Sequence, residues 1–281
     1  NEIKSWPLYF TPKILSSSNK KVFYIGDAFN GFLPTLAQGA GQSIESAYEI
    51  FNLLKENKLD MDTYFQLFSR ETKVAFKRWT DVLTGIILFF LIALLFPLIS
   101  DSDKDFLLKI VGPIMMFSAF FASLLSMQNM FKPDFQNGSI EQLLLSNRSF
   151  VGLICTKIFS YWFFTSLPLI LVSGFIASMY FVTGKAILVI QFTLLLSTLT
   201  MVYINAFTSA ITLGIRYPGA LMTLIITPIT LPILIFGSKA IESSILGLDI
   251  SGPLYFLTGM MMLSLFLGPW ITASALKISM D

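Results

Sequence analysis

Six long runs of apolar residues, separated by short polar joints, dominate the chain after about residue 80. A run of about 20 apolar residues can cross a bilayer as a helix, and the bilayer interior tolerates little else because every backbone polar group must be paired internally. We therefore predict an all-α polytopic membrane protein with six transmembrane helices. The predicted spans are 82–99, 110–130, 158–182, 186–215, 217–238 and 250–276.

Composition supports this assignment and divides the chain into two parts. Only 13% of the residues are charged, against about 25% in soluble domains, and the mean hydropathy is +0.73. The first 80 residues are rich in charge, whereas the remainder consists of apolar blocks. We predict an N-terminal part at 1–60, consisting of a short strand, a turn and a helix, and a six-span domain at 61–281.

Histidine is absent from the sequence, and Cys155 is its one cysteine. The commonest general base, the commonest protein metal ligand and a histidine ligand for haem iron are therefore missing. We expect no catalytic residue and no metal site, and nothing in the sequence indicates a nucleic-acid partner.

The joints between the spans carry an uneven distribution of lysine and arginine. One side holds nine of these residues and the other side three, namely Lys104, Lys185 and Lys239. The positive-inside rule places the richer side, and both ends of the six-span domain, in the cytoplasm. The nine residues are Arg70, Lys73, Lys77, Arg78, Lys132, Arg148, Lys157, Arg216 and Lys277.

The segment 61–79 has apolar residues on one helical face and basic residues on the other. Its cations Arg70, Lys73, Lys77 and Arg78 precede the first span. This pattern is typical of a helix that lies on the membrane surface. A loosely ordered basic flank would produce the same charge pattern, so both interpretations stay open.

The longest predicted cytoplasmic joint, 131–149, contains a turn followed by a short apolar helix. Asn137 and Gly138 form a turn signal. Ser139 and Gln142 have the spacing of a capping box at the start of a helix. The helix would present leucines 143–145 either to a protein partner or to the membrane surface and the ends of its own spans. The sequence contains no phosphate-binding GxxxxGK[ST] loop, so a nucleotide-driven machine would need its ATPase on another polypeptide.

None of the predicted spans has a charged residue at its centre, which argues against a proton-coupled or ion-coupled transporter. The fourth span instead carries uncharged polar residues. We interpret these as hydrogen-bond partners between helices rather than as substrate contacts. They are Gln191, Asn205, Thr208 and Ser209.

From about residue 68 to its end the chain resembles the haem-exporter protein B of cytochrome c maturation, a family of ABC-transporter permeases. The most specific stretch is the D-x-x-x-G-S-x-E-Q-L block at 134–143, supported by RETKVAFKR at 70–78 and ITASALKIS at 271–279. The resemblance implies a bacterial inner-membrane subunit that pairs with a separate ABC ATPase, a second haem-handling membrane subunit and a periplasmic haem chaperone, with haem as the handled ligand. It also implies a set of residues that contact the ATPase, which are Asp134, Gly138, Ser139, Glu141, Gln142, Leu143 and Leu144.

Residues 23–54 resemble a different family, the C-terminal flavin-contacting segment of ubiquinone-biosynthesis-type FAD monooxygenases. The resemblance implies that Gly26, Asp27, Pro34, Gln38 and Gly39 are remnants of a flavin site. The GxGxxG dinucleotide loop of such enzymes is missing. We therefore expect the tail of a truncated or fused neighbouring gene product that does not hold FAD.

Two alternative functions remain open at this point. A membrane-anchored flavoenzyme remnant would need a complete flavin domain, which the sequence lacks. A scaffold that only holds partner subunits together in the bilayer would require no substrate-contacting residue, and the sequence does not single one out.

Overall fold

The computed structural model is predominantly helical, and no strand occurs among the residues that it describes. The described residues are 79–99, 103–127, 130–136, 138–140, 144, 149–213, 215 and 218–280. The predicted strand–turn–helix fragment and the surface helix at 61–79 fall outside this part of the chain, except for Trp79. The helices are α1 (Trp79–Ile99), α2 (Lys104–Met127), α3 (Lys132–Gln136), α4 (Phe150–Met179), α5 (Lys185–Ile211), α6 (Pro218–Ile245) and α7 (Ser251–Met280).

Six of these helices correspond to the six predicted spans, and the chain is a multi-pass membrane protein. Five of them (α2 and α4 to α7) are long and apolar enough to cross a bilayer, while the apolar part of the first, Leu83–Ile99, is shorter. The prolines 97, 113, 168, 228, 232 and 269 all lie inside helices. The all-α polytopic fold is therefore confirmed.

Several helices extend beyond the predicted spans because a charged side chain ends an apolar run without ending the helix. Helix α4 begins at Phe150, eight residues before the predicted span, and thus includes Lys157, which is buried. Helix α6 continues past Lys239 to Ile245. Helix α2 begins at Lys104 and includes Lys109. The count of lysine and arginine from the sequence omitted Lys109, which raises the number on the poorer side from three to four. The excess of lysine and arginine on the opposite side persists.

Two aspartates cap α2 and α7, two of the three long helices that begin on the side poorer in lysine and arginine. Asp103 Oδ1 accepts hydrogen bonds from the backbone N–H groups of Asp105 and Phe106 at 3.2 and 3.3 Å. Asp249 accepts from the Ser251 N–H at 2.9 Å and from the Ser251 hydroxyl at 2.6 Å. Such caps satisfy N–H groups that the first helical turn leaves unpaired.

Helices α4 and α6 have the same pattern of backbone hydrogen bonds at their C-termini. At α4, the N–H of Val182 donates to Ala177 O and that of Phe181 donates to Ser178 O; at α6, Leu248 and Gly247 make the corresponding bonds to Ser243 and Ser244. This is a Schellman motif, which requires a left-handed residue. Glycine takes that position at α6, with φ 67°, whereas Phe181 takes it at α4, with φ 62°.

Helix α5 is the centre of the bundle. It packs against α2, α6 and α7, and its side chains also bond to α4, where the Trp162 indole N–H donates to the Thr198 hydroxyl at 3.2 Å. Helix α2 also contacts α1 and α6. The helices α6 and α7 leave many large apolar side chains exposed, including Leu224, Tyr255 and Phe266. This exposure is expected of helices that face lipid or another membrane subunit.

The joint between α3 and α4 belongs to a unit separate from this bundle. Residues 133–150 fall in one unit, whereas residues 61–132 and 151–281 fall in the other. The six long helices thus lie in the second unit, apart from the first residue of α4.

Candidate functional site

The joint that precedes α4 begins with the five-residue helix α3, which the sequence did not predict. Pro133 and Asp134 occupy its first turn. Proline suits the first turn because the N–H groups of that turn have no carbonyl partner within the helix, so the lack of an N–H costs no hydrogen bond. An acidic side chain there interacts favourably with the helix dipole. A proline followed directly by an aspartate was the signal from which this short helix could have been predicted.

Gly138 lies in a turn two residues after the end of α3. Its φ is 69°, and its N–H donates to Phe135 O at 3.3 Å. A positive φ is accessible to glycine at little cost because it has no Cβ. The predicted turn is therefore confirmed at Gly138, while Asn137 lies outside the described residues.

Helical structure resumes directly after this turn, in the region where the sequence predicts a short apolar helix. Ser139 and Ile140 are helical, and Leu144 is helical and half-buried. Ile140 is buried. Gln142, which the capping box requires, lies outside the described residues together with Glu141 and Leu143, so the capping box remains a prediction.

Two other predicted groups cannot be placed, since they fall within residues 1–78 and hence outside the described chain. One is the set of surface-helix cations, Arg70, Lys73, Lys77 and Arg78. The other is the set of residues that resemble a flavin site, Gly26, Asp27, Pro34, Gln38 and Gly39.

Two of the polar side chains predicted for the fourth span, the buried Asn205 and the half-buried Gln191, form hydrogen bonds to neighbouring helices. Asn205 Nδ2 donates to the Ser123 hydroxyl of α2 at 2.7 Å, and Gln191 Nε2 donates to Ile170 O of α4 at 3.4 Å. The predicted helix-to-helix role is confirmed for these two residues. Thr208 instead donates within its own helix, to Ile204 O at 2.9 Å.

Several buried polar atoms of α5 and α7 have no hydrogen-bond partner within the part of the chain that the structure describes. These are the hydroxyl oxygens of Thr193, Ser197 and Thr272 and the Asn205 carbonyl oxygen Oδ1. None of these groups ionises in the physiological pH range. These four groups can therefore join helices or form hydrogen bonds with water.

No cluster of three or more histidine, cysteine, aspartate or glutamate side chains that could hold a metal ion is found in the described part of the chain. Outside the spans, the carboxyl of Asp249 has a pKa below its ordinary value. Hydrogen bonds from the Ser251 hydroxyl and from the Ser251 backbone N–H lower its pKa, because they stabilise the charged form. This effect belongs to the helix cap at the start of α7.

Comparison with known proteins assigns the six-span domain to a family. The family model described as "CcmB protein" matches residues 62–279. The chain is 34% identical to "Heme exporter protein B" of Pseudomonas aeruginosa over 213 residues, which cover 76% of this chain and 96% of that protein. It is 33% identical to the protein of the same name from Haemophilus influenzae and 30% identical to that from Escherichia coli, in each case over 218 residues that cover 78% of this chain and 99% of the relative.

The matched region begins just after the N-terminal part, so the resemblance of residues 23–54 to FAD monooxygenases receives no support from these comparisons. The match includes all six long helices and the joint around α3, with no more than the last residues of α7 left out. The chain therefore belongs to the CcmB family.

Proposed function

We propose that this chain is the membrane permease subunit of an ABC-type transporter that handles haem during cytochrome c biogenesis. The observation that carries the proposal is the match of residues 62–279 to the CcmB family model, together with relatives named heme exporter protein B that align over nearly their whole length. Such a permease is not itself an enzyme, because ATP hydrolysis takes place in a partner subunit.

Two features of the chain suit this role. The sequence lacks a phosphate-binding loop, so the energy of ATP must enter through a separate ATPase. The polar groups buried in α5 are hydroxyl and amide groups, whereas ion-coupled transporters generally use ionisable residues inside the membrane.

We further infer the partners and the orientation. The partners are an ABC ATPase on the cytoplasmic side, a second haem-handling membrane subunit and a periplasmic haem chaperone, in a bacterial inner membrane. The excess of lysine and arginine in the joints that include Lys132, Arg148 and Lys277 supports cytoplasmic termini for the six-span domain. In this orientation Asp103 and Asp249 face the periplasm.

The joint around α3 is our proposed contact for the ATPase. It lies on the side rich in lysine and arginine, contains two helical pieces separated by the turn at Gly138, and from Pro133 onward falls outside the unit that contains the six long helices. Leu144 offers a partly accessible apolar side chain in this joint. The proposed contact residues are Asp134, Gly138, Ser139, Glu141, Gln142, Leu143 and Leu144.

Co-purification with the ATPase subunit tests the proposal. The full chain carrying Leu144→Asp or Glu141→Lys should insert in the membrane but should retain much less ATPase than the wild type. Leu248→Asp is the matched control, since Leu248 is an exposed leucine in the joint between α6 and α7, which our orientation places in the periplasm. This control should retain the ATPase.

Cells that lack the endogenous gene provide the functional measurement, namely the amount of covalently attached haem in their c-type cytochromes. Wild type and Leu248→Asp should restore haem attachment, and Leu144→Asp should not. Loss of haem attachment with both leucine variants would contradict the specific role of the α3 joint. Restoration without any ATPase partner would favour a scaffold over a permease.

A further inference from the structure

An apolar groove opens on the side of the bundle between α2 and α6, near the start of α7. Its volume is about 460 Å³, within the range of small-molecule sites in proteins, about 300 to 1,000 Å³. Apolar side chains of all three helices line the groove, and one ion pair lies on its edge. The apolar side chains include Pro113, Phe117, Leu231, Ile235 and Pro253.

The two main helices approach each other closely beside the groove. A Cβ atom built on Gly112 would lie 2.9 Å from the carbonyl oxygen of Ser238, and one built on Gly237 would overlap the methyl group of Met116. Gly112 therefore permits a close approach to the α6 backbone that a larger residue would push apart, whereas at Gly237 a larger residue would have to displace the flexible end of the Met116 side chain. Phe117 and Ile235 are 46% and 63% exposed beside this contact, so the walls of the groove stay uncovered by the protein.

The polar edge of the groove lies in the last turns of α6. Lys239 Nζ donates to Glu242 Oε2 at 3.0 Å, and the two side chains are 55% and 43% exposed. The pair carries one positive and one negative charge, so its net charge is zero. Lysine near the end of a membrane helix places its ammonium at the level of the lipid headgroups.

We propose that this groove binds one phospholipid with a zwitterionic phosphoethanolamine headgroup. An acyl chain lies between Phe117 and Ile235, the Lys239 ammonium donates to the lipid phosphate, and the lipid ammonium donates to the Glu242 carboxylate. The charges of the headgroup thus match those of the ion pair one for one. The site requires only that the bundle lies in a membrane, so it stands independently of the role in haem handling.

The same charges disfavour dianionic or purely anionic ligands. A porphyrin with two carboxylates would bring a second negative charge toward Glu242 without a second cation to meet it, because among the groove-lining residues Lys239 is the one cation. A phosphatidylglycerol headgroup has no ammonium for Glu242. The second carboxylate of such a ligand and the Glu242 carboxylate would repel each other, although solvent at the groove edge screens this repulsion.

Native mass spectrometry of the full chain tests the proposal, after reconstitution with equal amounts of phosphatidylethanolamine and phosphatidylglycerol. Wild type should retain one phosphatidylethanolamine preferentially. Ile235→Trp fills the groove and should abolish this retention. The matched control is Leu224→Trp on the same helix, since Leu224 is 71% exposed and does not line the groove; it should behave as wild type.

The headgroup contacts are tested separately by charge variants. Lys239→Gln should lower the retained phosphatidylethanolamine about fivefold, the size expected for one partly exposed ion pair. Glu242→Gln should shift the preference toward phosphatidylglycerol, because a lone cation then remains. A thermal melt of each variant verifies folding. If Ile235→Trp does not fold, the headgroup preferences of the two charge variants still test whether the groove binds phosphatidylethanolamine.

Three results would overturn the proposal. One is equal lipid retention by Ile235→Trp and Leu224→Trp, and another is an unchanged headgroup preference in both charge variants. The third is displacement of the retained lipid by stoichiometric haemin, with loss of this displacement in Ile235→Trp. That last result would assign the groove to haem.

Discussion

The amide of Asn205 on α5 donates a hydrogen bond to the hydroxyl of Ser123 on α2 across 2.7 Å, with both residues buried. The two residues are 82 positions apart in the sequence. Their bond therefore depends on the tertiary arrangement of the helices. The Asn205 carbonyl oxygen has no hydrogen-bond partner among the described residues, so the amide holds the two helices together through its donor side.

We expect removal of this bond to destabilise the bundle measurably. A double-mutant cycle of Ser123→Ala and Asn205→Ala, followed by unfolding in detergent, should give a coupling energy of about 0.6 to 1.7 kcal/mol, the range found for hydrogen bonds between membrane helices. Thr223→Ala is the control, because Thr223 is exposed and donates within its own helix, to Gly219. A coupling energy near zero would show that water replaces the bond.

A second prediction concerns the close contact of α7 with α5 at Gly268. A Cβ atom at Gly268 would lie 2.8 Å from Tyr203 Cδ1, and Tyr203 is fully buried with little room to move. Gly268→Val should therefore destabilise the protein by about 1 to 3 kcal/mol, the usual cost of overpacking. The measurement is the free energy of unfolding in detergent.

The same helix provides the control for this substitution. A Cβ atom at Gly259 would meet nothing within 4 Å, so Gly259→Val should leave the stability nearly unchanged. Equal destabilisation by both variants would mean that valine acts through the helix backbone, and the packing explanation would then fail.

The end of α4 allows a stabilising substitution. Phe181 has φ 62° in the position that Gly247 occupies at the end of α6, and a left-handed conformation costs a residue with a Cβ about 1 to 2 kcal/mol. Phe181→Gly should therefore raise the melting temperature, whereas Gly247→Ala should lower it. A lower melting temperature for Phe181→Gly would show that the phenyl ring contributes more than the backbone strain costs.

The helix cap at the start of α7 should make the stability of the folded protein depend on pH. The bonds from Ser251 lower the pKa of Asp249 in the folded protein. A carboxyl whose pKa is lowered by folding adds stability above its unfolded pKa, and this stability is lost as the pH falls through the folded value. Ser251→Ala should raise the pKa of Asp249 toward its ordinary value, as measured by carbon-13 NMR of the labelled carboxyl.

The control for this titration is Ser274→Ala, because Ser274 is an exposed serine of the same helix that donates to Trp270 O. It should leave the Asp249 titration unchanged. If Ser251→Ala also leaves it unchanged, then the hydrogen bond from the Ser251 hydroxyl is not the main cause of the lowered pKa.

The sequence predicted the spans well because the absence of charge over a long apolar run is itself the physical requirement for crossing a bilayer. It predicted the helix ends less well. Lys157 and Lys239 interrupt apolar runs, yet the backbone at the membrane interface continues its own hydrogen bonds, so α4 begins earlier and α6 ends later than predicted.

The helix contacts could not be predicted from the sequence in the same way. Asn205 was recognisable as a polar residue in a span, but its partner Ser123 depends on which helices are neighbours. The groove likewise depends on the approach of Gly112 to Ser238, two residues with no sequence pattern in common. The role of the joint around α3 as an ATPase contact is predicted from the family resemblance, whereas the short helix α3 itself is seen in the structure.

The short connection between α4 and α5 has a consequence for biogenesis. Residues 180–184 join the two helices, and the backbone bonds of Phe181 and Val182 close the turn. A connection of this length leaves neither helix free to enter the bilayer long before the other. We therefore expect α4 and α5 to insert as a single helical hairpin; in the orientation that we propose, Lys185 then crosses the membrane once, together with both helices.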